Sequence, residues 1–391
     1  MQNFDIIKKI KSKIDVKGYI TLYEFLKISL YDKKYGFYNI NKELIGNKGH
    51  FITGPEISQM FGELIAVWLI DFCTKLNFKK INLIELGPGN GTLMGDILRV
   101  IKNIFAFNLE LDLHFLEKSP DLKIKQEKLI SKYNLSTHWH KNFDSLEKKI
   151  KNLPSIFIAN EFFDCLPIQQ YKLIGDQQWN ASDWKKVCIK FENNQFCFKN
   201  LSLNKNENNL IKKYLNNFKD IFHDKNKVRF LEFSPVTNEI VSKISRLIKE
   251  FNGGALFIDY GKNNPFGDTL QALYKNRKIS IFEKIGISDY TSLVDFSNIY
   301  NLSKDSGLTS YPPITQRDFF LELGIFKRLE ILGQNCSTIE RRNLLSSLDR
   351  LISKKQMGEV FKVFCMTKET LKPIGFLKSN KDNIYDNSFI P

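Results

Sequence analysis

The chain of 391 residues carries 58 Lys and Arg against 43 Asp and Glu, a formal net charge of +15, with 42% hydrophobic and 13% aromatic residues. That apolar content excludes a disordered chain, and the length suffices for one large catalytic domain with added segments or for two domains. The lysines are spread over the whole chain among Asn, Ile and Phe, the bias of an AT-rich coding sequence, so charge alone does not make nucleic acid the expected partner.

The first segment, residues 1–80, reads as helical. The stretch from Pro55 sets Ile57, Met60, Phe61, Leu64, Ile65, Trp68 and Phe72 on one face at helical spacing, with Pro55 and Glu56 suited to a first turn. From Ile81 strands and helices alternate: Ile81–Leu86, a helix from Thr92, Leu111–Leu116, a helix from Pro120, and Ser155–Ala159. Alternation of this kind predicts a parallel sheet covered by helices. Beyond Pro167 come the strand-like pieces Val187–Phe191 and Gln195–Phe198, then an Asn-rich stretch and a charged helical segment, so 168–227 reads as an insertion. Sheet-like sequence resumes at Val228–Phe233, passes through a helix stopped by Gly253-Gly254, continues as Ala255–Tyr260 and closes with an apolar strand over Glu359–Met366. The fold class expected is α/β, a mostly parallel twisted sheet with helices on both faces. Residues 81–167 form its cofactor-binding half, 168–227 a lid or acceptor-binding insertion, and 228–391 a second half with acceptor-side loops.

Six cysteines, Cys73, Cys165, Cys188, Cys197, Cys336 and Cys365, stand far apart with no Cys-x-x-Cys pair and no His at ligand spacing, which argues against zinc and disulfides. The N-terminus lacks the apolar core of a signal peptide, and its acid and scarcity of Ser are unlike a transit peptide. The longest apolar run, Leu64–Ile70, is too short to span a bilayer. A cytoplasmic location is expected, or the mitochondrial matrix if the source is eukaryotic.

Chemistry concentrates where predicted strands end. Glu85-Leu-Gly87-Pro-Gly89-Asn-Gly91 runs from a strand through a Gly-rich turn into a helix, where backbone can approach a ligand closely and helical N–H groups point at it. The spacing is G-x-G-x-G rather than the G-x-G-x-x-G of dinucleotide enzymes. A carboxylate at Glu85 suits the ammonium and sulfonium of S-adenosylmethionine and suits a pyrophosphate badly. Glu117, at the end of the next strand, could accept both hydroxyls of a ribose. Asn160, Glu161 and Asp164 follow the apolar strand Ile156–Ala159, at the edge where open α/β sheets bind ligands, and paired carboxylates are the natural partner of a guanidinium. The alternative for Glu161 or Asp164 is a helix cap. Asp259 closes another strand at that edge, and Asp268 and Asp295 fall in loops that could line an acceptor cleft or form turns.

At these residues the sequence resembles the MidA-like family, whose mitochondrial members are complex I assembly arginine methyltransferases. The likeness runs through Tyr31-Asp-Lys-Lys-Tyr35-Gly36-Phe-Tyr38, Gly49 to Glu63, the Gly-rich turn, Asn160 to Pro167, Gly267-Asp-Thr269-Leu, Asp289 to Phe296 and Pro313-Ile-Thr-Gln316. It implies a Rossmann-like class I methyltransferase using S-adenosyl-L-methionine, with arginine of a respiratory-complex subunit as acceptor. It also implies Thr53 and Pro55 beside the cofactor, joining Glu85, Gly87, Gly89, Gly91, Glu117 and Asn160. Glu161 and Asp164 are then the catalytic carboxylates, and Asp259, Asp268 and Asp295 the acceptor-side residues. His50 departs from the family's loop pattern and reads as a surface residue. Three readings stay open: a protein arginine methyltransferase, a methyltransferase for RNA or a small molecule, and a non-catalytic assembly module. A homodimer is compatible with all three, and no metal is expected.

Overall fold

The computed structural model describes residues 4–40, 52–103, 108–150, 152–175, 179–218, 229–264, 266–275 and 277–377; His50 and Val228 lie outside them. Helix α1 (Phe4–Lys17) buries Ile6, Ile10 and Ile14, an i, i+4, i+8 stripe. After β1 (Ile20–Thr21), Thr21 caps α2 (Leu22–Tyr31): its Oγ1 accepts from Glu24 N at 3.1 Å, while Glu24 Oε2 accepts from Thr21 N at 2.9 Å. Two short turns, α3 (Phe37–Ile40) and α4 (Gly54–Ile57), precede α5 (Gln59–Lys75). The helix predicted to run unbroken from Pro55 is interrupted at Ser58, whose extended φ of −162° lets its hydroxyl cap α5 at Met60 N.

The strand–helix alternation then follows: β2 (Lys80–Leu86), α6 (Thr92–Asn103), β3 (Glu110–Leu116), α7 (Pro120–Ile130), β4 (Ser136–His140), α8 (Phe143–Glu147) and β5 (Ser155–Asn160). Next come β6 (Gln169–Leu173), β7 (Trp184–Glu192), β8 (Gln195–Ser202), α9 (Lys205–Phe218), β9 (Phe230–Phe233), α10 (Pro235–Phe251) and β10 (Gly253–Lys262). The chain continues through β11 (Gln271–Tyr274), β12 (Arg277–Ile279), β13 (Asp289–Thr291), β14 (Val294–Asp295), α11 (Phe296–Asp305) and β15 (Thr309–Thr315). It closes with α12 (Gln316–Glu322), α13 (Ile325–Gly333), α14 (Thr338–Ile352), α15 (Met357–Val360) and β16 (Phe361–Thr367).

The large sheet has the order β15-β16-β10-β5-β2-β3-β4, with β14 paired to β10. Strands β10, β5, β2, β3 and β4 are mutually parallel, and β16 and β15 close the other edge antiparallel. One face packs on α5, α6 and α12 to α14 through Trp68, Phe72, Ile97, Phe319 and Leu351. The other packs on α8, α10 and α11 through Leu146, Val241, Ile244, Phe296 and Ile299. An α/β sheet sandwiched by helices results, in agreement with the alternation. Buried Glu63 on α5 fastens one helical layer: Arg99 of α6 donates to it at 2.7 Å, and Arg328 of α13 grips both its oxygens at 2.5 and 2.8 Å.

A second, antiparallel sheet orders β1-β7-β6-β9 with β8 on β7, and α9 packs on it through Ile211 and Leu215. Strand β9, predicted to continue the large sheet, pairs instead with β6. The N-terminal segment joins this sheet through Ile20 and Thr21 opposite Ile189 and Cys188.

Helix α10 ends on Asn252, its C-cap at φ +69°, and the Gly253-Gly254 pair predicted to stop it opens β10 instead. Gly253 has φ +118°, and a Cβ there would lie 2.1 Å from the Ser155 carbonyl oxygen of β5. Gly253→Ala is expected to lower unfolding free energy by about 3 kcal/mol or more, from strain and forced strand separation together. Urea unfolding curves would measure it, and a loss below about 1 kcal/mol would show that the β5–β10 contact yields.

Candidate active site

The carboxyl ends of β2, β3, β5 and β10 converge on one edge of the large sheet. Beyond β2 the turn holds Gly87 at φ +64°, Gly89 at +56° and Gly91 at +84°, a run that side-chain-bearing residues rarely adopt. At Gly87 a Cβ would also meet Phe162 Cδ2 at 2.8 Å, so the turn lies flush against the segment after β5. Glu85 is 3% exposed, and among the described residues its Oε2 has no hydrogen-bond partner. Burial, then the charge of Glu117, pushes the Glu85 carboxyl up to about 8. A buried acid left in this state is stabilised by any cation delivered beside it.

Glu117 accepts from Ser119 N at 2.7 Å and from Gln126 Nε2 at 3.1 Å; burial raises its pKa. Gln126 also donates to the Gly89 carbonyl at 2.7 Å and accepts from Trp139 Nε1 at 2.9 Å, joining the Gly-rich turn to Glu117. Sequence motifs did not single out Gln126. A signal existed, since it stands between Leu122 and Ile130 on the buried stripe of α7, where an uncharged polar residue requires partners.

The segment around Thr53 and Pro55 is brought to the same edge. Glu56 Oε1 accepts from Asn90 Nδ2 at 3.2 Å and Thr92 Oγ1 at 2.6 Å, pinning α4 to the Gly-rich turn. Gly54 N donates to Glu161 Oε1 at 2.8 Å, which Asn160 Nδ2 also approaches at 3.2 Å. Glu161 itself sits at φ +50°, a conformation costing a non-glycine residue roughly 1–3 kcal/mol. Asp259 supports it. Fully buried, Asp259 accepts from Phe162 N at 3.0 Å and Phe163 N at 2.7 Å through one oxygen, and from Tyr260 N at 2.8 Å through the other.

Four carboxylates therefore crowd together. Burial, then Asp164, raises Asp259 well above the usual carboxylate range. Burial pushes Glu161 up to about 7, with the Asp164 charge adding to it, and Asp164 up to about 6. Asp289 of β13, 1% exposed and beside Asp164 and Tyr38, is pushed up to about 8 by burial first and Asp164 second. Asp289 stands within a recognised block but was not singled out there. Tyr31 closes this corner by donating to the Cys165 carbonyl at 3.0 Å, and Ser292 N donates to the Asp164 carbonyl at 3.1 Å.

Asp268 and Asp295 belong to a different cluster. Asp268 Oδ1 accepts from Gln170 Nε2 at 2.8 Å. Asp295 caps α11, accepting from Ser297 Oγ at 2.5 Å and Asn298 N at 3.1 Å. Both acids act electrostatically on buried Lys262, which pairs with Glu232 at 3.6 Å. The Asp295 bonds are those of a local cap, whereas Asp268 is held by a side chain distant in sequence.

A Gly-rich turn between β2 and α6, flanked by acids at the ends of β2 and β3 in a parallel sheet, defines a Rossmann-like class I methyltransferase, and comparison agrees. A likely methyltransferase from Burkholderia thailandensis, solved bound to S-adenosyl-homocysteine, shares the fold over 96% of this chain and 95% of its own with a TM-score of 0.77 at 19% identity. Residues 64–314 match the Methyltransf_28 family of S-adenosyl-L-methionine-dependent methyltransferases, and the chain belongs to that family. It is 30% identical to the mitochondrial protein arginine methyltransferase NDUFAF7 of Danio rerio, over 93% of this chain and 86% of the relative. Against the Caenorhabditis elegans homologue identity is 31%, over 96% and 91%. The protein is thus an S-adenosylmethionine-dependent methyltransferase. The relatives' names place them in mitochondria, which does not support the cytoplasmic expectation. No helix among the described residues is long and apolar enough to cross a membrane.

Proposed function

We propose that this enzyme methylates the guanidinium of an arginine in a protein, with a respiratory complex I subunit as the acceptor the MidA-like resemblance suggests. The observation carrying the proposal is the cluster of Glu161, Asp164 and Asp289, in which Asp164 stands within electrostatic reach of both other carboxylates and burial raises all three. Keeping like charges together out of water is unfavourable unless a cation joins them, and a planar guanidinium with five donors satisfies several acceptors at once. The names of the curated relatives support the same acceptor.

The cofactor, when bound, supplies a methyl group made electrophilic by sulfonium. Gly87, Gly89 and Gly91 offer backbone to it at close range, Glu85 opposes its positive charge, and Glu117 accepts from its ribose. Asn160, whose buried Oδ1 has no hydrogen-bond partner among the described residues, offers a further acceptor. Thr53 and Pro55, fastened through Glu56 and Gly54, cover the turn and exclude water. Glu161 and Asp164 draw guanidinium charge to one side, leaving the opposite nitrogen free to attack in line. As the N–C bond forms and the methyl leaves sulfur, the guanidinium sheds one proton in all, and Glu161 or Asp164, with a pKa of about 6 to 7, is suited to take it from the nitrogen it holds. In this reading Asp259 positions Glu161, while Asp268 and Asp295 brace the second sheet and α11 without touching the acceptor. The acceptor-side insertion, read from sequence as 168–227, is extended in this reading to take in β9, which pairs with β6. For a eukaryotic source the relatives' names favour a mitochondrial location, in keeping with the matrix expectation.

Incubating the enzyme and labelled cofactor separately with protein and RNA extracts tests the acceptor. Methylarginine in hydrolysed protein is the expected product; label confined to RNA or small molecules overturns the assignment.

A further inference from the structure

Strands β3 and β4 carry polar side chains on one face that the active site does not use. The pair is parallel, with Asp112 opposite Ser136, His114 opposite His138 and Leu116 opposite His140. Side chains two apart share a face. Asp112, His114, His138 and His140 therefore gather at the sheet's edge. Asp112, His114 and His140 are buried, whereas the His138 side chain is 35% exposed at a depression it shares with Lys123, Glu127 and Lys149.

Donor atoms converge there. His138 Nε2 lies 3.1 Å from Asp112 Oδ1, and His114 Nε2 lies 3.7 Å from Asp112 Oδ2. One donor atom from each of the three residues falls within 4.8 Å of the others. Tetrahedral zinc with bonds near 2.0–2.1 Å spaces its donors by roughly 3.4 Å, so both measured separations bracket the requirement. The fourth member serves differently. His140 Nε2 lies 3.0 Å from His114 Nδ1, which places the His114 Nε2 lone pair toward Asp112 when Nδ1 carries the proton. A ring nitrogen hydrogen-bonded behind the ligating one is how metal-bound histidines are oriented.

We propose that Asp112, His114 and His138 form a three-ligand site for a divalent transition metal, best matched to zinc, with His140 as the hydrogen-bonded support of His114. Water fills the fourth position from the exposed side at His138. The site clamps the edge strand β4 to β3. The ligands come as Asp112-x-His114 on β3 and His138 on β4, strands whose register-matched positions stand 24 residues apart in sequence, a spacing that Cys-based sequence rules do not test.

Chelator-treated protein is titrated with zinc by calorimetry and with cobalt(II) by visible absorption. One equivalent of zinc should bind, cobalt should give the intense visible bands of a tetrahedral N/O site, and zinc should raise the unfolding temperature. His138→Ala, altering a part-exposed side chain, should abolish one-to-one binding while metal-free unfolding stays near wild type; His138→Asn serves if the alanine variant misfolds. His140→Asn should weaken binding by about 10- to 100-fold. Absence of saturable binding in the wild type, or equal affinity after His138 is replaced, overturns the proposal and leaves a hydrogen-bonded histidine cluster.

Discussion

Glu161→Gln is expected to reduce kcat by about 100- to 1000-fold while leaving the cofactor Kd within roughly threefold of wild type. The range is that for removing one preorganised electrostatic stabiliser from a dry site. The substitution is isosteric, and its carbonyl oxygen can still accept from Gly54 N, so the loop over the turn stays in place. What disappears is the charge that draws guanidinium density to one side. Asp289→Asn, farther along the same wall, is expected to act mainly on KM. The acids also set a pH profile with a definite sign. Glu161 and Asp164 are pushed up to about 7 and about 6, and only their ionised forms attract the acceptor. kcat/KM should therefore climb as pH rises through 6 to 7 and level off above, and Glu161→Gln should remove the upper part of that climb. A Glu161→Gln enzyme with normal cofactor binding and full turnover would sink the assignment.

Glu85→Gln should produce two changes of opposite benefit. Glu85 in the folded, cofactor-free protein is pushed from 4.5 to about 8 by burial and Glu117. Its folded pKa is raised, so its contribution to stability is fully present below pH 4.5 and is lost progressively as pH rises to about 8. At one pKa unit per 1.36 kcal/mol the loss reaches roughly 5 kcal/mol at the alkaline end. Glutamine does not ionise. The cofactor-free variant should therefore unfold at higher temperature than wild type at pH 8, the difference shrinking toward pH 4.5. Cofactor affinity should move the other way, falling at least tenfold, because the cation-facing charge is gone. Thermal unfolding across pH, with and without S-adenosylmethionine, reads both effects. A variant destabilised at pH 8, or one binding cofactor as tightly as wild type, would count against Glu85 as the cofactor's counter-charge.

Much of the fold was legible because strand and helix alternate with clear periods between Ile81 and Ala159, and because Gly253 marks where the chain turns to pair with β5. Strand β4 was not legible: Ser136-Thr-His-Trp-His140 has little apolar content, and only pairing with β3 makes it a strand. Strand β9 looked like part of the large sheet because an apolar run does not say which sheet it joins. The break at Ser58 was hidden for a related reason, since the apolar face continues in phase across it.

The acids divide in the same way. Sequence alone determined that Glu85, Glu117, Glu161 and Asp164 stand at strand ends, because a sudden polar residue after an apolar strand marks the ligand edge of a parallel sheet. Sequence also determined the Gly-rich turn, since glycine alone tolerates that run of positive φ. It did not determine what each carboxylate meets. Asp259 resembles Asp164 in sequence context, yet it accepts three backbone N–H groups and fixes the 161–163 segment. Asp268 and Asp295 turn to Gln170 and the start of α11, while Asp289, 125 residues from Asp164, completes the acidic wall. Those partners depend on strand register and on the crossing of chain segments far apart in sequence, which local periodicity does not encode. The fold class and the cofactor edge are local properties repeated along the chain; which partners each carboxylate meets belongs to the tertiary structure.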